Sequence, residues 1–276
     1  MTATTVVMVR VATFNIRTSR GVDGPNRWRR RRDACAAAIR ELDADVVGLQ
    51  EARPDQLADI RCAFPDTVIV GAGRDKDGGG EHAAVLVRGW TVETHETRWL
   101  SPTPSVAGSK GWDADLPRIA TLVRLRRGDT TLGIANTHFD HMGAIAREEA
   151  ARLLVDWLIA APEVPWVVLG DLNDVPGSPP TATLAEAGFT DALPAAAGGT
   201  EHAFTGAFDR KRIDYVFAGP GVRVTSAGIS NLRPGDRLPS DHWPVWADLA
   251  LTSPAPSRAF GGVPGRHRRS GVRRAT

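Results

Sequence analysis

The segment WVVLGDLNDV, residues 166–175, places Asp171, Asn173 and Asp174 within four positions directly after a run of apolar and small residues. Carboxylate and amide oxygens at the end of a buried strand can bind a hard cation, polarise a water or hold a phosphoryl oxygen. On an extended chain Asp171 and Asn173 point the same way, so one can address an attacking water and the other a phosphate oxygen. Asp174 has the opposite parity and reads as a turn residue ahead of Pro176 and Gly177. Other apolar runs end in similar residues: Asn15 closes VRVATF, Glu51 follows VVGLQ, His138 follows TLGIANT, and Asp241 with His242 precedes WPVWADL. Asp214 lies inside RIDYVF, where a buried carboxylate needs a partner and a histidine suits. Each residue alone has an ordinary account as a cap, a turn or a hydrogen-bonded side chain. Brought to one sheet edge, they form a single crevice of the kind that binds ligands. The oxygens of Asn15, Glu51 and Asp241, with no thiolate and no cluster of imidazoles, select Mg²⁺ or Mn²⁺ over Zn²⁺ and leave positions for water and substrate phosphate.

The elements that must position these groups are short. Strand candidates rich in β-branched residues fall at 6–15, 45–51, 82–88, 119–126, 131–139, 166–173, 212–219 and 243–251. RGDT joins the 119–126 and 131–138 runs as a tight hairpin, so part of the sheet is antiparallel. Helical spacing places Trp28, Arg31, Cys35, Ile39 and Leu42 on one face, and Ala150, Leu153, Leu154, Trp157 and Leu158 on another. Each helix precedes a strand, which points to a layered α/β architecture rather than a bundle or an all-β sandwich. Segments 17–27, 71–81, 100–118 and 174–210 read as long loops. RWRRRR, residues 27–32, reads as a solvated helix face with arginine stems over apolar surface, against one arginine reaching the substrate entrance.

The chain has 276 residues, 42% hydrophobic and 24% charged, and a formal charge of +2. Residues 257–276 carry six arginines and no acid, so the body before them sums to +2 − 6 = −4. A mildly acidic body argues against a broad basic face for tracking nucleic acid. Two cysteines give no disulfide framework and no metal spacing. No signal peptide or membrane span is evident, so the expected address is cytoplasmic, without a membrane or a protein partner. One catalytic domain is expected over 1–252, followed by a disordered Arg-rich tail over 253–276.

The series TFN (13–15), LQE (49–51), NTH (136–138), GDLN (170–173), RIDYVF (212–217) and SDHWPV (240–245), in this order, resembles the endonuclease/exonuclease/phosphatase superfamily. The resemblance implies a deoxyribonuclease I-like four-layer α/β sandwich, with two mixed β-sheets facing each other and helices outside. It implies phosphoester hydrolysis with a divalent cation. Carried over, Glu51 and Asn15 become metal-site residues and Asp241 a further ligand or outer carboxylate. Asp171 becomes the group that orients or deprotonates water, Asn173 an amide on a phosphate oxygen, and His138 with His242 the pair around the phosphate, Asp214 fixing His242. A finer likeness to a bacterial branch includes Glu81, Arg118 and the loop of Trp112. Arg118 is then a candidate phosphate contact, or a surface ion pair, while Trp112 is a loop anchor or a platform for a ring, and His141 either joins the site or starts a helix. The leading expectation is a phosphatase or phosphodiesterase on a small phosphorylated molecule. An endonuclease or exonuclease on DNA or RNA is the alternative, and a non-catalytic binding protein on the same fold is the third.

Overall fold

The computed structural model describes residues 6–252, so the expected Arg-rich tail lies outside the described residues. The strands are β1 (Val6–Asn15), β2 (Val46–Ala52), β3 (Val68–Val70), β4 (His82–Val87), β5 (Thr91–Trp99), β6 (Ile119–Arg127), β7 (Thr130–His138), β8 (Trp166–Asp171), β9 (Thr190–Asp191), β10 (Asp214–Ala218), β11 (Val222–Ile229) and β12 (Val245–Thr252). The α-helices are α1 (Trp28–Glu41), α2 (Pro54–Ala63), α3 (Ala144–Ile159) and α4 (Pro179–Glu186). One sheet runs β11-β12-β1-β2-β4-β3 and the other β5-β6-β7-β8-β10-β9.

Each sheet is centred on one βαβ unit: α1 connects the parallel strands β1 and β2, and α3 connects the parallel strands β7 and β8. Parallel neighbours end on the same edge, and that geometry sends Asn15, Glu51, His138 and Asp171 toward one side. Three apolar layers hold the sandwich. Between the sheets lie Val11, Val46, Val85, Val123, Ile134, Leu169 and Val245. Outside the first sheet α1 and α2 cover Phe14, Leu49 and Leu86, and outside the second α3 and α4 cover Ala135, Val168 and Phe217. The result is the expected four-layer sandwich with two mixed six-stranded sheets.

The inter-sheet layer contains a polar insertion. Asn136 on β7 donates through Nδ2 to the carbonyls of Leu49 (2.9 Å) and Ala84 (2.8 Å) in the opposite sheet. Gln50 Nε2 donates to Asn136 Oδ1 at 2.6 Å and to Thr13 Oγ1 at 3.0 Å. All three side chains are fully buried. Gly48 makes room for them: a Cβ there would lie 2.5 Å from Asn136 Oδ1.

Several elements differ from the sequence expectation for definite reasons. The 174–210 segment is not one loop, because Pro179 and Pro180 start α4 with the ring geometry that suits a first helical turn. Strands β5 and β11 are only partly buried, so they lack the apolar run that marks a buried strand. Helix α2 begins with Pro54, and the Gln56 side chain accepts the Arg53 N–H as in a capping box. The RWRRRR run is split. Arg29, Arg30 and Arg32 are exposed, whereas Arg31 is fully buried and donates to the carbonyls of Ile16 (2.6 Å), Arg17 (2.6 Å), Asn26 (2.8 Å) and Pro239 (3.0 Å). A buried guanidinium persists only with such a full set of acceptors.

Asn136→Ala takes the side-chain donor from the Leu49 and Ala84 carbonyls and one acceptor from Gln50, which keeps Thr13. It is expected to destabilise the fold by about 3 kcal/mol or more. Urea denaturation checks this as a lower midpoint at unchanged slope; a midpoint equal to wild type would show that the polar insertion does not hold the sheets together.

Candidate active site

The second sheet sets three of the groups abreast. His138 pairs with Asp171 in the β7–β8 register, and Asp171 pairs with Asp214 in the β8–β10 register. Lateral neighbours in a sheet point to the same face, so the three side chains form a row. His242, just ahead of β12, closes the row: its Nδ1 lies 2.8 Å from Asp214 Oδ2 and 4.0 Å from Asp171 Oδ2. His138 Nε2 lies 3.5 Å from Asp171 Oδ2.

From the first sheet, Asn15 at the end of β1 reaches across. Its Nδ2 donates to Asp171 Oδ2 and to Glu51 Oε1, both at 3.0 Å, and its Oδ1 accepts the Arg17 N–H at 2.9 Å. Glu51 sits inside β2 at a break in register between Leu49 and Ala52, with φ +59°. A non-glycine residue in the left-handed region stores about 1 kcal/mol or more of strain. The Glu51 carboxylate is held by the Thr18 N–H at 2.8 Å. Asp241 is placed by its neighbour Ser240, whose Oγ donates to the Asn15 carbonyl at 2.7 Å and lies 3.2 Å from Asp241 Oδ1. Arg17 Nε is 3.6 Å from Asp241 Oδ2.

Asn173 corrects the parity argument. Strand β8 ends at Asp171, and Asn173 has φ +52°, so the chain has already turned. The Asn173 N–H donates to Asp171 Oδ1 at 2.9 Å, and its side-chain amide donates to the Phe139 carbonyl at 3.0 Å. The two residues are neighbours through an Asx-type turn instead of through an extended chain. Asp174 is a turn residue as expected, and it also accepts Arg147 Nε of α3 at 2.9 Å.

Burial and the neighbouring Asp214 push the Asp171 carboxyl up to about 7. Burial would lower the His242 pKa, but Asp214, Asp241 and Asp171 reverse this and hold it well above the ordinary value. His138 goes the other way: burial, Arg118 and Arg74 hold it well below, so it is neutral. The row therefore contains a carboxyl poised near neutrality between a protonated and a neutral imidazole.

Asp171, Asp214 and His242 offer ligand atoms within 4.8 Å of one another. His242 Nδ1 already bonds Asp214 Oδ2, which makes this trio a hydrogen-bonded relay more than a cation cage. Glu51 and Asp241 fit a hard cation better. Burial raises the Glu51 pKa, but the Thr18 and Asn15 donors overcome it and keep Glu51 ionised. Burial and the Glu51 charge raise the Asp241 pKa, the strain of two like charges that a divalent cation relieves.

Arg118 is almost fully buried, with Nε 3.3 Å from Asp140 Oδ2 and Nη2 3.1 Å from His141 Nδ1. It touches none of the row, but lines one cleft with Glu51, Arg74, Glu81 and His138. Trp112 is 40% exposed with φ +54°. Sequence reasoning missed Asp140, which also accepts the N–H groups of Leu116, Met142 and Gly143 and so ties the 100–118 loop to the start of α3. It also missed Arg17 and the cradle around Arg31; the usable signal was an arginine on the apolar face of α1.

The described residues contain no helix long and apolar enough to cross a membrane. Among curated proteins no sequence matches this chain. Residues 12–242 match the model of the Endonuclease/Exonuclease/phosphatase family. A family protein from Bacteroides thetaiotaomicron is 31% identical with a TM-score of 0.84, over 90% of this chain and 99% of that one. Another, from Bacteroides vulgatus, is 34% identical with a TM-score of 0.81, over 89% and 99%. A Bacteroides thetaiotaomicron VPI-5482 mannosyl-6-phosphatase is 31% identical with a TM-score of 0.81, over 87% and 99%. With a motif series, a two-sheet fold and a family match that all run nearly the whole length, the chain belongs to the endonuclease/exonuclease/phosphatase family of phosphoesterases.

Proposed function

We propose that this chain is a divalent-metal-dependent hydrolase that cleaves phosphoester bonds of a small phosphorylated molecule, as a phosphatase or phosphodiesterase. The observation that carries the reading is the row of His138, Asp171 and Asp214 closed by His242, with Asn15 linking it to Glu51. The family acts on phosphoesters. The likeness to a mannosyl-6-phosphatase supports a small substrate, as does the mildly acidic body.

Asp171 takes the proton of the attacking water, a task for a base whose pKa lies near working pH. Asn15 and the Asn173 N–H hold its two oxygens so that the free lone pairs keep one direction. His242, bonded to Asp214 through Nδ1, has Nε2–H left to donate to a phosphoryl oxygen. Because Asp214 keeps the ring protonated, that donor also brings positive charge to the developing oxyanion. Neutral His138 donates or accepts without adding a charge that would hold Asp171 ionised. The second amide hydrogen of Asn173 can meet another phosphoryl oxygen. When bound at Glu51 and Asp241 beside Asn15, Mg²⁺ or Mn²⁺ supplies Lewis-acid polarisation of the phosphate and offsets its charge.

A screen of sugar phosphates, nucleotides, inositol phosphates and oligonucleotides with Mg²⁺ or Mn²⁺ tests the activity. Phosphate release from a small molecule is expected, abolished by chelation and lowered about 10³-fold or more by Asp171→Ala and by His242→Ala. Selective cutting of oligonucleotides would replace the small-molecule reading with a nuclease, and variants equal to wild type would remove the site assignment.

The pH profile is expected to be bell-shaped. Activity rises as Asp171 loses its proton near pH 7 and falls at higher pH as His242 loses its own. Asp214 raises both pKa values, so Asp214→Asn lowers both and moves the whole bell to lower pH. A bell that narrows or stays in place in the variant contradicts this coupling.

A further inference from the structure

We propose that Arg74 and Glu81, backed by Arg118, form a subsite for a hydroxyl group of a polyhydroxylated substrate, so that the phosphate is an ester of a sugar or similar polyol. This rests on the hydrolase reading above and adds to it the organic half of the substrate.

The subsite is built by a glycine hairpin. Gly73 N–H donates to the Gly78 carbonyl at 3.0 Å, Arg74 N–H to the Glu81 carbonyl at 3.0 Å and Asp75 N–H to the Gly79 carbonyl at 3.1 Å. The two legs touch so closely that a Cβ on Gly73 would lie 1.8 Å from the Gly79 carbonyl oxygen. Trp99 Nε1 donates to the Arg74 carbonyl at 2.8 Å and fixes the hairpin from the second sheet. Held this way, Arg74 Nη1 meets Glu81 Oε2 at 2.7 Å, with only 13% and 15% of the two side chains exposed. The exposed part lies in the cleft shared with Glu51, Pro117, Arg118 and His138, beside the phosphate row.

Charge decides what this wall recognises. Arg74 is balanced by Glu81, and Arg118 by Asp140 at 3.3 Å. Balanced guanidiniums are poor ligands for a second phosphate or for the backbone of a nucleic acid, which need uncompensated cations. A guanidinium and a carboxylate side by side match a hydroxyl, which accepts from one and donates to the other. Contact at one atom of each group leaves further N–H donors and the second carboxylate oxygen for that purpose. The cleft is narrow, about 10 Å³, room for one hydroxyl, and His138 is part of its lining, so a hydroxyl bound there belongs to the same molecule whose phosphate meets the row.

The test compares kcat/KM of the full chain, with Mg²⁺ or Mn²⁺, for glucose 6-phosphate and its C2 and C4 epimers against cyclohexylmethyl phosphate, a ring of similar size without hydroxyls. For the best epimer the wild type is expected to prefer the sugar by about 10- to 100-fold, the worth of a few charge-assisted hydrogen bonds. Glu81→Gln and Arg74→Met are each expected to lower that ratio at least about tenfold, read on variants whose thermal melts match wild type. The wild-type ratio stands as evidence should either variant fail to fold. Equal turnover of both substrate types, or a ratio unmoved by both substitutions, overturns the subsite and leaves the hydrolase reading intact. Turnover of neither type overturns the hydrolase reading, and the subsite with it.

Discussion

Two amides buried between the sheets, Gln50 and Asn136, fix everything that meets at the crevice. Apolar layers hold two sheets together but do little to set their relative slide, because valine on valine is tolerant of small shifts. Three directed hydrogen bonds cross between the sheets, from Asn136 to the Leu49 and Ala84 carbonyls and from Gln50 to Asn136, and with Gln50 steadied by Thr13 of its own sheet they admit one arrangement. Each of these side chains lies close in sequence to a site residue: Gln50 precedes Glu51, Asn136 is two before His138, and Thr13 is two before Asn15. The lock therefore sets the spacing across which Asn15 reaches Asp171 at 3.0 Å. A slip of one residue would leave each sheet intact and separate the two halves of the crevice.

The same placement explains the electrostatics. Asp171 and Asp214 are partners across two antiparallel strands, a position where two ionised carboxylates repel. Burial strengthens that repulsion, and it falls on Asp171. Asp214 bonds His242 and supports its charge, while Asp171 rises to about 7 and becomes the group able to exchange a proton. Backbone register, fixed by the fold, thus differentiates two chemically identical side chains.

Much of this was legible in the sequence because the buried strands are continuous apolar runs and the site residues stand at their ends. The strand ends pointed to His138 and Asp171, the start of the last strand to His242 and the run RIDYVF to Asp214, four side chains that the fold brings together, and the α/β order followed from helices that alternate with strands. What was not legible depends on partners distant in sequence. Strands β5 and β11 are half-exposed and carry Glu, Arg, Thr and Ser on the open face, which erases the apolar signal. Glu51 looked like a residue after a strand, but it is inside β2 at a bulge, a feature that only cross-strand register reveals. Asn173 looked extended because nothing in GDLND announces a left-handed residue, although asparagine tolerates that conformation better than most.

The arginines make the same point about charge. Counted along the chain, they suggest patches for an anionic partner; placed in the fold, they sort by what faces them. Arg31 has four carbonyls as acceptors and joins the loop after β1 to the segment that carries Asp241, so it acts as a structural bracket. Arg118 and Arg74 have carboxylates, and their charge is largely cancelled before any ligand arrives. Arg17 lies among Asp23, Glu51 and Asp241, carboxyl groups that outweigh burial and raise its own pKa, and so it pins the acidic side of the crevice. In the proposed reading, positive charge for a phosphate comes from His242 and from a cation at the Glu51 and Asp241 carboxylates, so the metal would serve charge as well as geometry.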